Sequence, residues 1–188
     1  MSSTSQPFGL RPAFSPSGVV RPTAYTITSG YGSNILQNQP VKIVPSSTGA
    51  GTIAAASIGD RFIGTFQGVE FTDTDGRRRV SNKWTASTSA TDIVAYVTLD
   101  PSIVYEIQSN ATLDVTSIGG QYDFTTITAG STTTGLSAIM LDAASGATNA
   151  SLRVIDLAPG PDNAWGDNYV IVQVQISEHQ NVADVAQY

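Results

Sequence analysis

The sequence predicts an all-β protein, with a β-sandwich or β-barrel-like body over residues 19–188 and an extended N-terminal arm over residues 1–18. Three observations carry that expectation. Glu occurs three times and Lys twice, against 21 Ser and 22 Thr; the residues that cover exposed helices are scarce, while β-branched and hydroxyl-bearing ones abound. Short apolar or alternating runs recur roughly every 8–15 residues, each closed by turn residues. No segment holds a helical period beyond about two turns. The chain has 188 residues, 40% of them hydrophobic. That is enough for one packed domain, and no shift in composition marks a second.

Taken in order, residues 1–18 hold Pro7, Pro12 and Pro16 among Ser and Gly, without a hydrophobic period. Proline lacks the N–H that a ladder needs, so the segment reads as an arm and not as a core strand. It still carries Phe8, Leu10 and Phe14. These need an apolar surface, supplied either by the parent core or by a neighbouring chain. The β pattern begins with a broken alternation from Val19 to Thr28. A short strand follows at Val41–Val44, and residues 46–59 read as a small-residue loop. Arg61–Phe71 is a long strand whose Gly64 and Gly68 mark a bend, a bulge or a close backbone approach. Asp73-Thr74-Asp75-Gly76 is a hairpin turn, with Arg77–Thr85 as the return. Asp92–Thr98 and Ile103–Gln108 are joined through Asp100-Pro101. Strands at Gln121–Thr128, Leu136–Leu141 and Leu152–Leu157 precede a turn at Pro159–Asn163. In the last strand, Tyr169–Ile176, residues Val170, Val172, Val174 and Ile176 share one face and Gln173 and Gln175 the other.

Charge narrows the partners. The net charge is −6, and the longest basic run is Arg77-Arg78-Arg79. Binding to nucleic acid or to an anionic membrane needs clustered cations that this chain lacks. No apolar run approaches the ~20 residues of a membrane-spanning helix, and the first residues have neither the basic nor the apolar region of a secretory signal. With no cysteine, disulfides, thiolate metal sites and cysteine nucleophiles are excluded.

The candidates for chemistry are few. His179 is the one histidine, so a Ser–His–acid triad has to use it; in a polar tail it reads as a surface residue. Asp73 and Asp75 before Gly76 open like a calcium loop, but Arg77 and Trp84 fall where that loop requires oxygen ligands. No catalytic, cofactor or metal residue is therefore assigned. Arg77, Arg78 and Arg79 read either as an edge strand defended by charge or as a patch facing an acidic protein partner. Trp84, Trp165, Tyr96, Tyr105 and Tyr122 read as core, with a carbohydrate platform as the alternative.

The order of several short motifs resembles a family of tailed-bacteriophage capsid decoration (cement) proteins. The opening Gln6-Pro7-Phe8-Gly9-Leu10-Arg11-Pro12 is similar to the start of that family. The resemblance continues through Arg61–Phe71, the Arg-rich hairpin leading to Trp84, and Ala95-Tyr96-Val97 with Asp100-Pro101. It then runs through Val104–Gln108, Thr134-Gly135-Leu136-Ser137, Leu152–Ile155 and Pro161-Asp162-Asn163. The resemblance implies a non-enzymatic protein without cofactor, made in the bacterial cytoplasm and placed on the outer capsid surface of the virion. There it ties neighbouring major capsid proteins, often as a homotrimer. In that setting Gln6, Pro7, Phe8, Leu10, Arg11 and Phe14 are the expected capsid-contacting residues of the arm. A carbohydrate-binding or adhesin module of a phage tail or spike is the alternative.

Overall fold

The computed structural model describes residues 4–45, 51–125, 129–147 and 149–182. In chain order the strands are β1 (Arg11–Phe14), β2 (Pro22–Tyr25), β3 (Ile35–Leu36), β4 (Pro40–Val44), β5 (Thr52–Ala55), β6 (Gly64–Asp73), β7 (Arg78–Ser81) and β8 (Lys83–Trp84). They continue as β9 (Ala90–Thr98), β10 (Val104–Gln108), β11 (Gln121–Tyr122), β12 (Gly130–Ser131), β13 (Leu136–Ser137), β14 (Leu152–Leu157) and β15 (Ile171–Ile176). The helical content described is two 3-10 turns, Val115–Ser117 and Ala143–Ser145. The all-β expectation is met.

Two antiparallel sheets organise the chain. The first runs β1-β10-β15-β14-β11, and the second β2-β9-β6-β4-β5 with β7 also on β6. Each has its own buried cluster. Strict alternation in β15 sends Val172, Val174 and Ile176 inward, where they meet Leu10, Phe62, Tyr105, Ile107 and Phe124. In the second sheet Phe66, Val69 and Phe71 of β6 pack with Ile35, Val41, Trp84 and Val97. Burying each such side chain contributes about 1.5–3 kcal/mol.

The glycines of β6 act as the sequence suggests. A bulge between Phe66 and Gly68 shifts the inward set by one residue. That is why Phe66, then Val69 and Phe71, are buried although they break the period of two. Gly64, at φ +151°, lies so near β9 that an added Cβ would sit 1.5 Å from the Thr98 carbonyl oxygen.

The second sheet closes on itself. Beyond β2 the Thr26 N–H donates to the Gly51 carbonyl at 3.0 Å, and the Ile53 N–H donates to the Thr26 carbonyl at 2.9 Å. The edge of β5 is therefore paired back to the chain leaving β2, giving a small barrel around the second cluster. Among the described residues the first sheet stays open, with β1 at one edge.

Hydroxyls join the two halves at the seam. Thr98 Oγ1 lies 3.0 Å from the Tyr105 hydroxyl and 3.0 Å from Thr65 Oγ1, and it accepts from the Thr65 N–H at 2.9 Å. Burial pushes the Tyr105 phenol far above its usual range, so it stays protonated. The exit from β15 adds a second tie. Gln180 accepts from the Ile43 N–H at 2.7 Å and donates to the Ile43 carbonyl at 3.2 Å, while its own N–H reaches the Phe62 carbonyl at 3.2 Å. A third tie is the β12–β13 hairpin: the Gln37 N–H donates to Gly135 at 2.9 Å, and Asn82 donates to Thr134 at 2.9 Å.

Several expectations are corrected. Within residues 46–59, Thr52–Ala55 form β5; alanines carry little strand preference, but Ile53 in the core and the barrel closure override it. The strand expected at Gln121–Thr128 is limited to Gln121–Tyr122 among the described residues, and residues 126–128 lie outside them. The one expected at Leu136–Leu141 is limited to Leu136–Ser137. Arg11–Phe14, expected as part of an extended arm and not as a core strand, forms the largely exposed edge strand β1. An edge position tolerates Pro12, because the ladder is needed on one side only.

Candidate functional site

Of Gln6, Pro7, Phe8, Leu10, Arg11 and Phe14, Leu10 is buried in its own body, Pro7 and Phe8 are half-buried, and Gln6, Arg11 and Phe14 are exposed. The Gln6 N–H donates to Gln108 Oε1 at 2.9 Å, and Gln108 Nε2 donates to the Thr4 and Tyr169 carbonyls. Buried Gln108 thus straps the first described residues to the end of β10. The Phe8 carbonyl accepts from Asn38 Nδ2 at 3.1 Å, and the Leu10 N–H donates to the Asn38 carbonyl at 2.9 Å. Gly9, at φ +77°, fits so closely that a Cβ there would meet the Asn38 carbonyl at 2.7 Å and the Ser137 Cβ at 2.9 Å. Leu10 has no exposed surface and belongs to the first cluster. Of the two surfaces open to these apolar residues, the parent core takes Leu10.

Arg11 stands at the rim. Its guanidinium lies 4.6 Å from the centre of the Phe8 ring and pairs with Glu106 at 2.5 Å. What the segment leaves uncovered comes next. Phe14 is 48% exposed and Val19 56%, separated by a turn that buried Ser15 anchors through its hydroxyl to Asp100 at 3.1 Å. The outer side of β1 is a sheet edge. At the Arg11 end of β1, toward β10 and β15, a groove of about 270 Å³ is lined by Arg11, Glu106, the Pro159–Asn163 turn and Ile171.

The Arg77–Arg79 patch is neutralised in place. Arg79 pairs with Asp73 at 2.5 Å and Asp75 at 3.1 Å, Arg77 with Asp75 at 3.8 Å, and Arg78 with Glu70 at 3.3 Å. The Tyr96 hydroxyl, and then Arg78, hold the Glu70 carboxyl below its usual range. The Thr74 N–H, and then Arg79, do the same for Asp73. Three cations thus face three carboxylates on a strand paired on one side, the geometry of a charge-defended edge. The same turn uses Asp73 and Asp75 for these pairs and for capping Thr74 and Arg77.

His179 is buried, not on the surface as its polar surroundings suggest. Its Nδ1 accepts from the Asn181 N–H at 3.1 Å, leaving Nε2–H to donate to the Leu99 carbonyl at 3.1 Å. Burial holds its pKa below the ordinary value, so it is a neutral strut across the seam. Trp84 and Tyr105 have no exposed surface, and Tyr122 and Trp165 pack against the first cluster; Tyr96, expected in the core, is exposed and donates its hydroxyl to Glu70 at 2.8 Å.

Sequence reasoning missed Gln108 and Asn38, which hold the leading segment. Asn38, at φ +64°, carries a recognisable local signal, since Asn is the non-glycine residue most tolerant of that region; Gln108 carries none. Comparison with family models, curated proteins and solved structures gives no match. No helix among the described residues is long and apolar enough to cross a membrane.

Proposed function

We propose that this is a non-enzymatic structural protein that binds the outer surface of an assembled phage head and ties neighbouring major capsid proteins, acting as a homotrimer. The observation that carries the reading is the β1 edge, which has no further strand beside it among the described residues and where Phe14 is exposed, with Val19 exposed beyond the turn that follows. Such an edge accepts a strand from another chain by main-chain hydrogen bonds, while neighbouring apolar side chains fill pockets. The motifs behind the family resemblance support it from a second direction. The opening motif, the Arg-rich hairpin and Thr134–Ser137 are distant in sequence yet mutually packed, through Gly9 on Ser137 and Asn82 on Thr134. The net charge of −6 suits an exterior site away from DNA.

Removing residues 2–14 would take Leu10 out of the core and confound folding with binding. The test is therefore the Phe14→Ser, Val19→Ser double variant, mixed with undecorated heads and sedimented. Wild type co-sediments in hundreds of copies per head, as gel densitometry against the major capsid protein reads, and the variant loses most of that binding with its unfolding midpoint unchanged. Equal binding by the variant overturns the surface assignment; no binding by wild type overturns the function. Light scattering of the protein at high concentration reads three times 19.6 kDa if it is a trimer.

A further inference from the structure

Between the barrel and the β12–β13 hairpin lies a cavity of about 330 Å³. Its lining comes from Tyr31 and the Gly32–Asn34 turn, from β3, from β5 and Ser57 beyond it, from Ala86 after β8, and from Gly130 and Thr132 of the hairpin. Four separate stretches of chain therefore meet there. The volume lies at the lower end of the ~300–1,000 Å³ typical of small-molecule sites.

The lining mixes two characters. Leu36, Ala55 and Ala86 give apolar wall, and Tyr31 is half-buried with part of its surface packed on the second cluster. Tyr31 is fixed, because its hydroxyl accepts from the Ala55 N–H at 3.2 Å. Around these stand Ser33, Asn34, Ser57 and Thr132, and none of the described lining residues carries a formal charge. Asn34 is oriented as well. Its Oδ1 accepts from the Ala86 N–H at 2.8 Å, which leaves Nδ2 as a positioned donor at the cavity.

We infer that this cavity is a binding site for a neutral saccharide, formed by the Tyr31 ring, the Asn34 amide and the hydroxyls of Ser33, Ser57 and Thr132. A sugar ring has an apolar C–H face and a rim of hydroxyls that both donate and accept. The C–H face suits the tyrosine and alanine wall. Hydroxyl-bearing side chains, which donate and accept equally well, suit the rim. An anionic sugar or a phosphate finds no cation among the described lining residues, since Lys83 next to Thr132 is engaged with the Thr132 carbonyl, and a purely apolar ligand would strip water from the polar side chains without replacing their hydrogen bonds. The site is separate from the β1 edge, so the inference stands independently of capsid binding.

The test is titration of the full chain with glucose, galactose, mannose, N-acetylglucosamine and their common neutral disaccharides, read by saturation-transfer NMR and calorimetry, with glucuronic acid alongside. At least one neutral sugar saturates in the millimolar range, and glucuronic acid binds more weakly. Ser57→Tyr, at an exposed position, fills the cavity and abolishes that signal. Asn34→Ala weakens it about five-fold, the net value of one hydrogen bond. Unfolding midpoints confirm that both variants are folded. No saturation by any neutral sugar up to tens of millimolar, binding unaffected by Ser57→Tyr, or preference for glucuronic acid each overturns the assignment.

Discussion

Replacing Leu10 with alanine separates two roles that the sequence leaves entangled in the leading segment. Leu10 has no exposed surface, packs in the first cluster with Phe62, Tyr105 and Phe124, and donates its N–H to Asn38. Truncation removes three side-chain carbons from a filled interior and leaves a cavity that the surrounding sheet closes only in part. For a fully buried leucine that costs about 2–5 kcal/mol. In a chain of this size each kcal/mol lowers Tm by about 2–4 °C, so Leu10→Ala melts roughly 4–20 °C below wild type. Urea unfolding followed by tryptophan fluorescence measures it, with the midpoint falling and the slope unchanged. A loss no greater than the ~0.5 kcal/mol of an ordinary surface substitution would show that Leu10 is not packed in solution, and the strapped leading segment would fall with it.

Two further outcomes test the body. Gly64→Ala drives a Cβ into the Thr98 carbonyl, 1.5 Å away, from a φ of +151° that alanine resists; β6 and β9 must separate, and the expected cost is at least ~2 kcal/mol, seen as a lowered urea midpoint or as insoluble protein. A variant as stable as wild type refutes the close approach. His179 makes stability depend on pH in a window of its own. Its folded pKa lies below the ordinary 6.5, so above pH 6.5 both states are neutral and stability is full. As pH falls below that value the unfolded chain takes a proton that the folded one refuses, and stability drops until the folded pKa is passed. Carboxylates such as Asp100, held low by Ser102, then Ser15 and His179, act only at lower pH, near and below their unfolded value. Urea midpoints at about pH 8 and about pH 5 differ for wild type and converge in His179→Gln; a flat wild-type profile contradicts the buried neutral imidazole.

The architecture was legible where the signal is local. The alternation in β15 predicts Val172, Val174 and Ile176 as core, and Asp75-Gly76 predicts the hairpin because few other pairs tolerate its backbone. What stayed hidden depends on distant partners. β5 reads as loop because alanine has no strand preference; its pairing with β4 and its closure onto Thr26 are set by the barrel. β1 reads as arm because proline argues against a ladder, and only the edge position resolves the conflict. At the candidate surface, Phe14 was named from its chemistry alone, whereas the burial of Leu10 four residues earlier depends on Asn38 and β10. The cavity beside Tyr31 draws on four stretches of chain, and no single stretch carries its signal.

The strapping of residues 4–10 changes how the β1 edge can act. A free arm that docks must lose backbone freedom at every residue it orders, about 1–2 kcal/mol each, and that loss is subtracted from its affinity. Here the ordering is already done within the folded chain, by Gln108, Asn38 and the burial of Leu10. Phe14 therefore stands at a position fixed before any partner arrives, and Ser15 held to Asp100 fixes the turn that leads on to Val19. A preorganised surface of this kind needs fewer contacts for the same affinity. In the proposed homotrimer each fixed edge would also restrict the orientation of the other two, so that three contacts with one head would act at high effective concentration. Loosening the strap while sparing the exposed residues, as in Gln108→Ala, is then expected to weaken head binding although no contacting side chain is lost.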